Sequence, residues 1–338
     1  MERKSIIQGR LEFGNPKSFG QMLKMYDYRI ENYYKNDILF EEEVFDEENY
    51  LINIPRLISI QEEKWFTNTI LLLEYLAQFA ISGSIGGWLV HEGKILRYVR
   101  IEPESEKGVV QMYLRGQKLA AEVGKEQEAV EALNKVIEKH DKHAQAYERR
   151  GFVNYIMKDM AGALYDFNKC ISYDPSIPTA YYWRARVHMR REEWDEAIEN
   201  LVMTTKKAIA LQPIYWKARR RKAYCFLKLK DYENAALELR LFTLRKYEAD
   251  NPNRTYLREA FATYADTLIH LEKYEEALEA VDNGLALEEQ EEFVPVQKLL
   301  TLRGMARFKM GEGGRDDWKK AVKLGSKEAK RFLKENPA

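Results

Sequence analysis

The sequence predicts an α+β domain over residues 1–109, followed by an all-α superhelix of about six helix pairs over residues 110–338. Three observations carry this division. Alternation of apolar and polar residues with period two is confined to the first third of the chain. A block of about 34 residues recurs through the rest. The polar run Pro103-Glu-Ser-Glu-Lys107 lies at the junction. With 45% apolar residues the chain can build real cores, and its charge is too evenly spread for a disordered tail.

Along the first region, Ile6–Phe13 alternates around Gly9 and reads as a strand, broken by Gly14-Asn-Pro-Lys-Ser18. Ser18–Tyr34 carries Phe19, Met22, Leu23, Met25, Tyr26, Ile30 and Tyr33 at helical spacing. Ile38–Phe45 and Tyr50–Ile54 read as strands joined through Asp46–Asn49. Trp65–Ile81 is a strongly apolar helix ended by Gly83, and Trp88–His91 with Ile95–Ile101 flanks a hairpin turn at Glu92-Gly-Lys94. The resulting order, β-α-β-β-α-β-β, is ferredoxin-like with one extra strand.

The repeat frame is set by Ala144–Pro175. It places Tyr147 at position 4, Gly151 at 8, Ala163 at 20, Phe167 at 24, Cys170 at 27 and Pro175 at 32. Starts at 110, 178, 216, 258 and 297 reproduce it: Ala129 and Leu133; Ala185, Ala197 and Leu201; Ala223, Ala235 and Leu239; Ala265, Ala277 and Val281; and Gly304. The last unit degrades after Gly311 into a capping stretch around Trp318. Small residues at positions 8 and 20 let two helix backbones approach, and large ones at 4, 24 and 27 fill the gap to the next pair. One pair cannot bury its apolar face alone, so units stack.

These positions and this period resemble the tetratricopeptide repeat (TPR) family, whose unit is a helix–turn–helix of 34 residues. The resemblance covers residues 110–338; the first 105 or so residues resemble no family. The steps between starts are 34, 34, 38, 42 and 39 residues. The added residues are expected to lengthen helices rather than form loops, because about four residues make one turn. Asp250-Asn-Pro-Asn253 marks a turn inside the longest addition.

Lys+Arg and Asp+Glu both number 54, so the chain is neutral overall, which argues against a general nucleic-acid coat protein. The charge is nevertheless segregated. Residues 1–109 hold 13 basic and 18 acidic residues, net −5, while residues 144–230 hold 17 and 9, net +8. Two cysteines, Cys170 and Cys225, cannot form a disulfide framework and favour a reducing compartment. The N-terminus has no signal-like apolar segment, and Thr69–Ile81 is too short and too interrupted to span a bilayer. A cytoplasmic protein without membrane contact is expected, its oligomeric state left open.

No cofactor, metal or catalytic set is expected. Asn15 and Pro16 read as a helix cap and first turn, not a phosphate loop. His140 and His143 sit in a turn between units and read as solvated. Cys170 occupies a packing position, and Cys225 has no evident histidine partner. The acidic run Glu41–Glu48 reads as a solvated strand edge, with a docking surface for something basic as the alternative.

In the TPR family the first helix of each pair, helix A, lines the concave face through positions 2, 5, 6, 9, 12 and 13. The resemblance therefore implies a groove. Arg115 and Lys118 come from the first unit; Arg149, Phe152 and Tyr155 from the second; Tyr182, Trp183, Arg186 and Arg190 from the third; Lys217, Arg220, Arg221, Tyr224 and Lys228 from the fourth. Glu122 and Glu148 are the acids among them. Guanidinium forks beside flat aromatic rings suit carboxylates with neighbouring apolar anchors. Some family members clamp a C-terminal carboxylate. Lys217 and Arg221 match that pattern, but Glu148, Phe152 and Trp183 stand where it needs other residues.

The reading that follows is a non-catalytic cytoplasmic adaptor or scaffold that binds an acidic protein or peptide segment in this groove. Two alternatives stand beside it: single-stranded RNA on the same groove, with phosphates on arginines and bases on Tyr182, Trp183 and Tyr224, and an enzyme activity within residues 1–109.

Overall fold

The computed structural model of the chain describes residues 2–35, 37–105, 107–287 and 295–336. They form two compact units, residues 1–180 and 181–338.

The first unit begins with a five-stranded antiparallel sheet. Its strands are β1 (Glu2–Glu12), β2 (Phe45–Asp46), β3 (Leu51–Glu62), β4 (Ser82–His91) and β5 (Lys94–Ile101), in the order β2-β3-β1-β4-β5. The first four strands have the split βαβ arrangement expected from the sequence, and β5 is the added edge. Helices α1 (Pro16–Arg29) and α2 (Glu63–Ala77) cover one face. Ile7, Leu11, Phe19, Met22, Phe66, Ile70 and Leu73 form the core beneath them. On the other face the register aligns Ile58, Ile6, Trp88 and Tyr98 across four strands. Gly9 sits at the β1 bulge with φ +146°, and a Cβ there would lie 2.2 Å from the Ser84 carbonyl oxygen, so a side chain cannot be accommodated.

Three local expectations need correction. Residues 38–44 are not a strand. Ile38, Phe40 and Val44 are buried, but the Leu39 amide donates to Thr69 Oγ1 and Glu42–Val44 is a 3-10 turn, so pairing begins only at Phe45. The first helix ends at Arg29 and passes into a π-turn over Ile30–Tyr34. Helix α2 stops at Ala77, because Ile81 donates its amide to Glu12 O at the entry to β4; Gly83 lies inside that strand.

Helices then follow in antiparallel pairs. In the first unit they are α3 (Gly108–Leu119) with α4 (Glu126–Lys139), and α5 (Ala144–Ile156) with α6 (Met160–Tyr173). α7 (Pro178–Arg190) begins at the unit boundary and precedes α8 (Trp194–Lys207), α9 (Pro213–Lys228), α10 (Tyr232–Thr243), α11 (Leu257–His270), α12 (Tyr274–Ala286), α13 (Val296–Lys309), α14 (Arg315–Lys323) and α15 (Lys327–Glu335). Helix starts match the predicted frame within about three residues, and α15 completes the cap.

Gly151 and Ala163 are both buried as expected, but what crowds Gly151 is the next turn of α6. A Cβ there would lie 2.9 Å from the Phe167 ring and 3.0 Å from Asp166 Cβ. The eight residues added before the fifth repeat do not lengthen helices. α10 stops at Thr243, and Tyr247 folds back to pack edge-on against Trp216 and tilted against Phe242, while its hydroxyl donates to Phe242 O. The expectation of longer helices for residues 288–294 lies outside the described residues.

The α+β part packs against the first repeats within the first unit. Arg10 donates to Tyr173 O at 3.0 Å, the Gly83 amide donates to Gln145 Oε1 at 3.2 Å, and His140 Nε2 lies 3.3 Å from Glu12 Oε1. The histidine pair is therefore not a solvated turn. His143 is buried, accepts the Ala146 amide through Nδ1 as the cap of α5, and is held neutral because burial lowers its pKa to about 3, with His140 adding to the shift.

Candidate functional site

The second unit brings five of the predicted groove residues together. Tyr182 and Arg186 project from α7, and Arg220, Arg221 and Tyr224 from α9. All are on A helices of successive repeats. Tyr182 is buried, and Arg186 and Arg221 lie close enough for their charges to act on its hydroxyl. Burial raises the pKa of that hydroxyl, but the two arginines outweigh burial and bring it below the ordinary tyrosine value.

Arg220 stacks 3.7 Å above the ring of Tyr256 and lies 3.7 Å from Glu259 on α11. Desolvation, followed by the repulsion of Arg221, lowers its pKa despite Glu259. The Nε atoms of Arg220 and Arg221 are buried with no hydrogen-bond partner among the described residues. Beside them opens a cavity of about 120 Å³. It is lined by Arg220, Arg221, Tyr224, Leu227, Glu259 and Thr263, together with Ala223, Leu239 and Ala260. The arrangement concentrates positive charge at a small, partly apolar recess, where a desolvated anion can take charge-assisted hydrogen bonds.

The other predicted residues are placed differently. Trp183 packs on the cluster around Ala185 and Leu201, with the Arg186 guanidinium 5.9 Å from its ring. Lys228 lies 5.3 Å above the Tyr224 ring and is exposed, as is Arg190. Lys217 is half-buried and does not line the cavity.

Arg149, Phe152 and Tyr155 belong to the first unit. Tyr155 is buried, and Phe152 is half-buried. Arg149 lies 3.6 Å from the buried carboxylate of Glu148, which raises its pKa, with Tyr113 nearby adding to the rise.

Sequence reasoning missed Tyr256, Glu259 and Thr263. The last two occupy positions 2 and 6 of the fifth repeat, so extending the same frame by one unit finds them. Tyr256 lies in the 3-10 turn just before α11, inside the added segment, and no periodic signal marks it.

A larger cleft of about 710 Å³ lies in the α+β part of the first unit, between Arg29, Tyr34, Leu71, Tyr75 and the end of β5. The Arg29 guanidinium stacks 3.6 Å above the Tyr75 ring. Glu74, Glu102 and Glu104 line the same cleft, and Arg100 pairs with Glu102 at 2.7 Å. Both cysteines are buried, and burial pushes their thiols up, Cys225 to about 12, which keeps them protonated. Among the described residues no group of three or more metal-ligating side chains comes together, and no helix is long and apolar enough to cross a membrane.

The helix pairs have a tetratricopeptide-like fold. Among solved structures, the chain is similar to YrrB, a TPR protein with an unusual peptide-binding site, at 17% identity and a TM-score of 0.51, covering 61% of this chain and 99% of that one. It is similar to pilF of Pseudomonas aeruginosa at 16% identity and a TM-score of 0.51, covering 68% and 100%. A third is the C-terminal part of a TPR repeat-containing protein from Cytophaga hutchinsonii, at 14% identity and a TM-score of 0.50, covering 63% and 78%. At these identities the likeness establishes the fold. No family model matches the chain, and no curated protein matches it.

Proposed function

We propose that this chain is a non-catalytic adaptor of the tetratricopeptide type, with residues 1–109 as an α+β domain and residues 110–338 as the repeat array. Its A-helix face in the second unit binds an acidic protein segment in the cytoplasm. The observation that supports this most is the convergence of Arg186, Arg220 and Arg221 around Tyr182, beside a recess whose wall carries one carboxylate among the described residues. Like charges gathered and desolvated in this way cost stability, and an incoming anion offsets that cost. Tyr224 and Leu227 supply apolar surface for a neighbouring side chain. The peptide-binding site named for YrrB is a property of that protein; a similar use of the same fold is in keeping with this reading.

The test is fluorescence anisotropy with labelled Asp/Glu-rich peptides carrying an aromatic residue. The intact protein should bind them and the Arg220→Glu, Arg221→Glu variant should not. A steep linear fall of log affinity with log salt for single-stranded RNA, together with no peptide binding, would move the assignment to nucleic acid.

A further inference from the structure

The same recess has features that select among anions, and an inference about them rests on the acidic-segment reading above. We infer that its ligand is a phosphorylated side chain, a phosphoserine or phosphothreonine within an acidic protein segment, rather than an Asp or Glu carboxylate.

Three features point this way. The first is charge. Arg220 and Arg221 line the recess directly. The carboxylate in the wall is Glu259, which stands 3.7 Å from Arg220, too far for a close paired hydrogen bond. Two guanidiniums at one recess are balanced better by a dianion than by a monoanion. A phosphate ester carries close to two negative charges at neutral pH.

The second is donor geometry. The Nε atoms of both Arg220 and Arg221 are buried and without a partner among the described residues. Phosphate offers three strong acceptor oxygens, against two for a carboxylate, and arginine forks meet them in pairs. Thr263 adds a hydroxyl to the wall.

The third is size. About 120 Å³ takes one side-chain head group, not a stretch of main chain. The segment would therefore run across the exposed ring of Tyr224 and insert a single residue. An unmodified Glu259 carboxylate next to the inserted phosphate is the unfavourable element. Its side chain is 42% exposed, so it can swing toward solvent when the anion enters.

The test compares three peptide libraries, degenerate and acid-rich at the flanking positions and fixed at the centre as serine, glutamate or phosphoserine. Each is titrated against the full-length protein. The phosphoserine library should bind about tenfold tighter than the glutamate library, as expected for an added charge-assisted contact. Arg221→Lys keeps the charge and removes the fork, so it should bring the two libraries to within about twofold of each other. An unchanged thermal transition would show that this variant folds.

Equal affinity of the wild-type protein for the phosphoserine and glutamate libraries overturns the phosphate inference and leaves the acidic-segment reading standing. No binding of any library overturns both. Preferential binding of a single-stranded RNA oligonucleotide over all three libraries also overturns both.

Discussion

Arg149 and Arg221 occupy position 6 of the A helix in the second and fourth repeats, and each reaches a tyrosine on an earlier A helix. The charge of Arg149 acts on Tyr113, and that of Arg221 on Tyr182. The two tyrosines respond in opposite directions. Burial pushes Tyr113 up to about 12, against the pull of Arg149, while Glu148 and Glu102 add to the rise. Tyr182 is brought below its ordinary value by two arginines, in spite of burial. Position 5 differs as well: it is Glu148 in one repeat and Arg220 in the other. In the first unit the cation is neutralised by its own neighbour and becomes part of the scaffold. In the second unit the neighbour along the helix is another cation, and Arg220 meets its carboxylate on α11 instead, Glu259 at 3.7 Å. A basic residue at a groove position is therefore not evidence of binding until the residue before it is known.

The comparison breaks first at Arg220 and Arg221. Changing both to Glu should weaken acidic-peptide binding at least about 100-fold, or roughly 2.7 kcal/mol, with helical content unchanged by circular dichroism. Normal binding would mean that the arginine pair is not the site. In contrast, Arg149→Ala should leave peptide affinity within about twofold. It should cost stability instead, because Glu148 stays buried without its cation. Given the partial exposure of Arg149, about 1–2 kcal/mol is expected in urea denaturation. A variant that binds poorly and melts normally would reverse the assignment of roles.

The first unit also holds a buried titration that sharpens the contrast. The folded pKa of His143 lies below its unfolded value, so the unfolded chain binds more protons between about pH 6.5 and 3. The stabilisation is fully present above about pH 6.5 and is lost as pH falls toward 3. Between pH 7 and pH 5 the first unit should lose on the order of 1–2 kcal/mol. Glu12, whose carboxyl is lowered by His140 and Ser82 against the opposing effect of burial, adds a further loss below about pH 4.5. His143→Asn can still cap α5 and should flatten the fall between pH 7 and pH 5. A slope unchanged by that substitution would place the responsible group elsewhere.

Much of the repeat array was legible because its rules are local. Gly151, Ala163, Phe167 and Cys170 recur at fixed offsets, and a small residue at a helix crossing is a steric requirement that the sequence shows directly. Sheet order was legible for a similar reason, since alternation and turn residues mark strands. The segment 38–44 misled because Ile38, Phe40 and Val44 alternate toward a core without pairing; burial pattern alone does not say where a backbone amide finds its acceptor. The added segment before α11 misled because Tyr247 and Trp216 form a packed loop through contacts about 30 residues apart, which periodicity does not register. At the candidate site, the arginines were visible and their compensation was not. Glu148 is evident in the sequence as an acid at a groove position, but its burial against Arg149 depends on the fold. Tyr256, under Arg220, carried no signal at all.

The smallest expected effect tests the origin of the difference most directly. Arg220→Glu alone converts position 5 of the fourth repeat to the acid found in the second. The new carboxylate would stand beside Arg221 as Glu148 stands beside Arg149. It would remove one cation from the cluster near Tyr182 and attract another away from the hydroxyl. Tyr182 should then titrate above its wild-type value, because burial is opposed by less positive charge. Spectrophotometric titration of tyrosinate, with Tyr182→Phe as the subtraction control, reads this shift apart from the other tyrosines. The reciprocal change, Glu148→Arg, should bring Tyr113 down from about 12 by adding a second cation and deleting an acid. If both tyrosines keep their wild-type values in these variants, position 5 does not set the electrostatics of the pair. The opposite shifts would then have to come from the differing burial of the two hydroxyls and from Arg186 beside Tyr182.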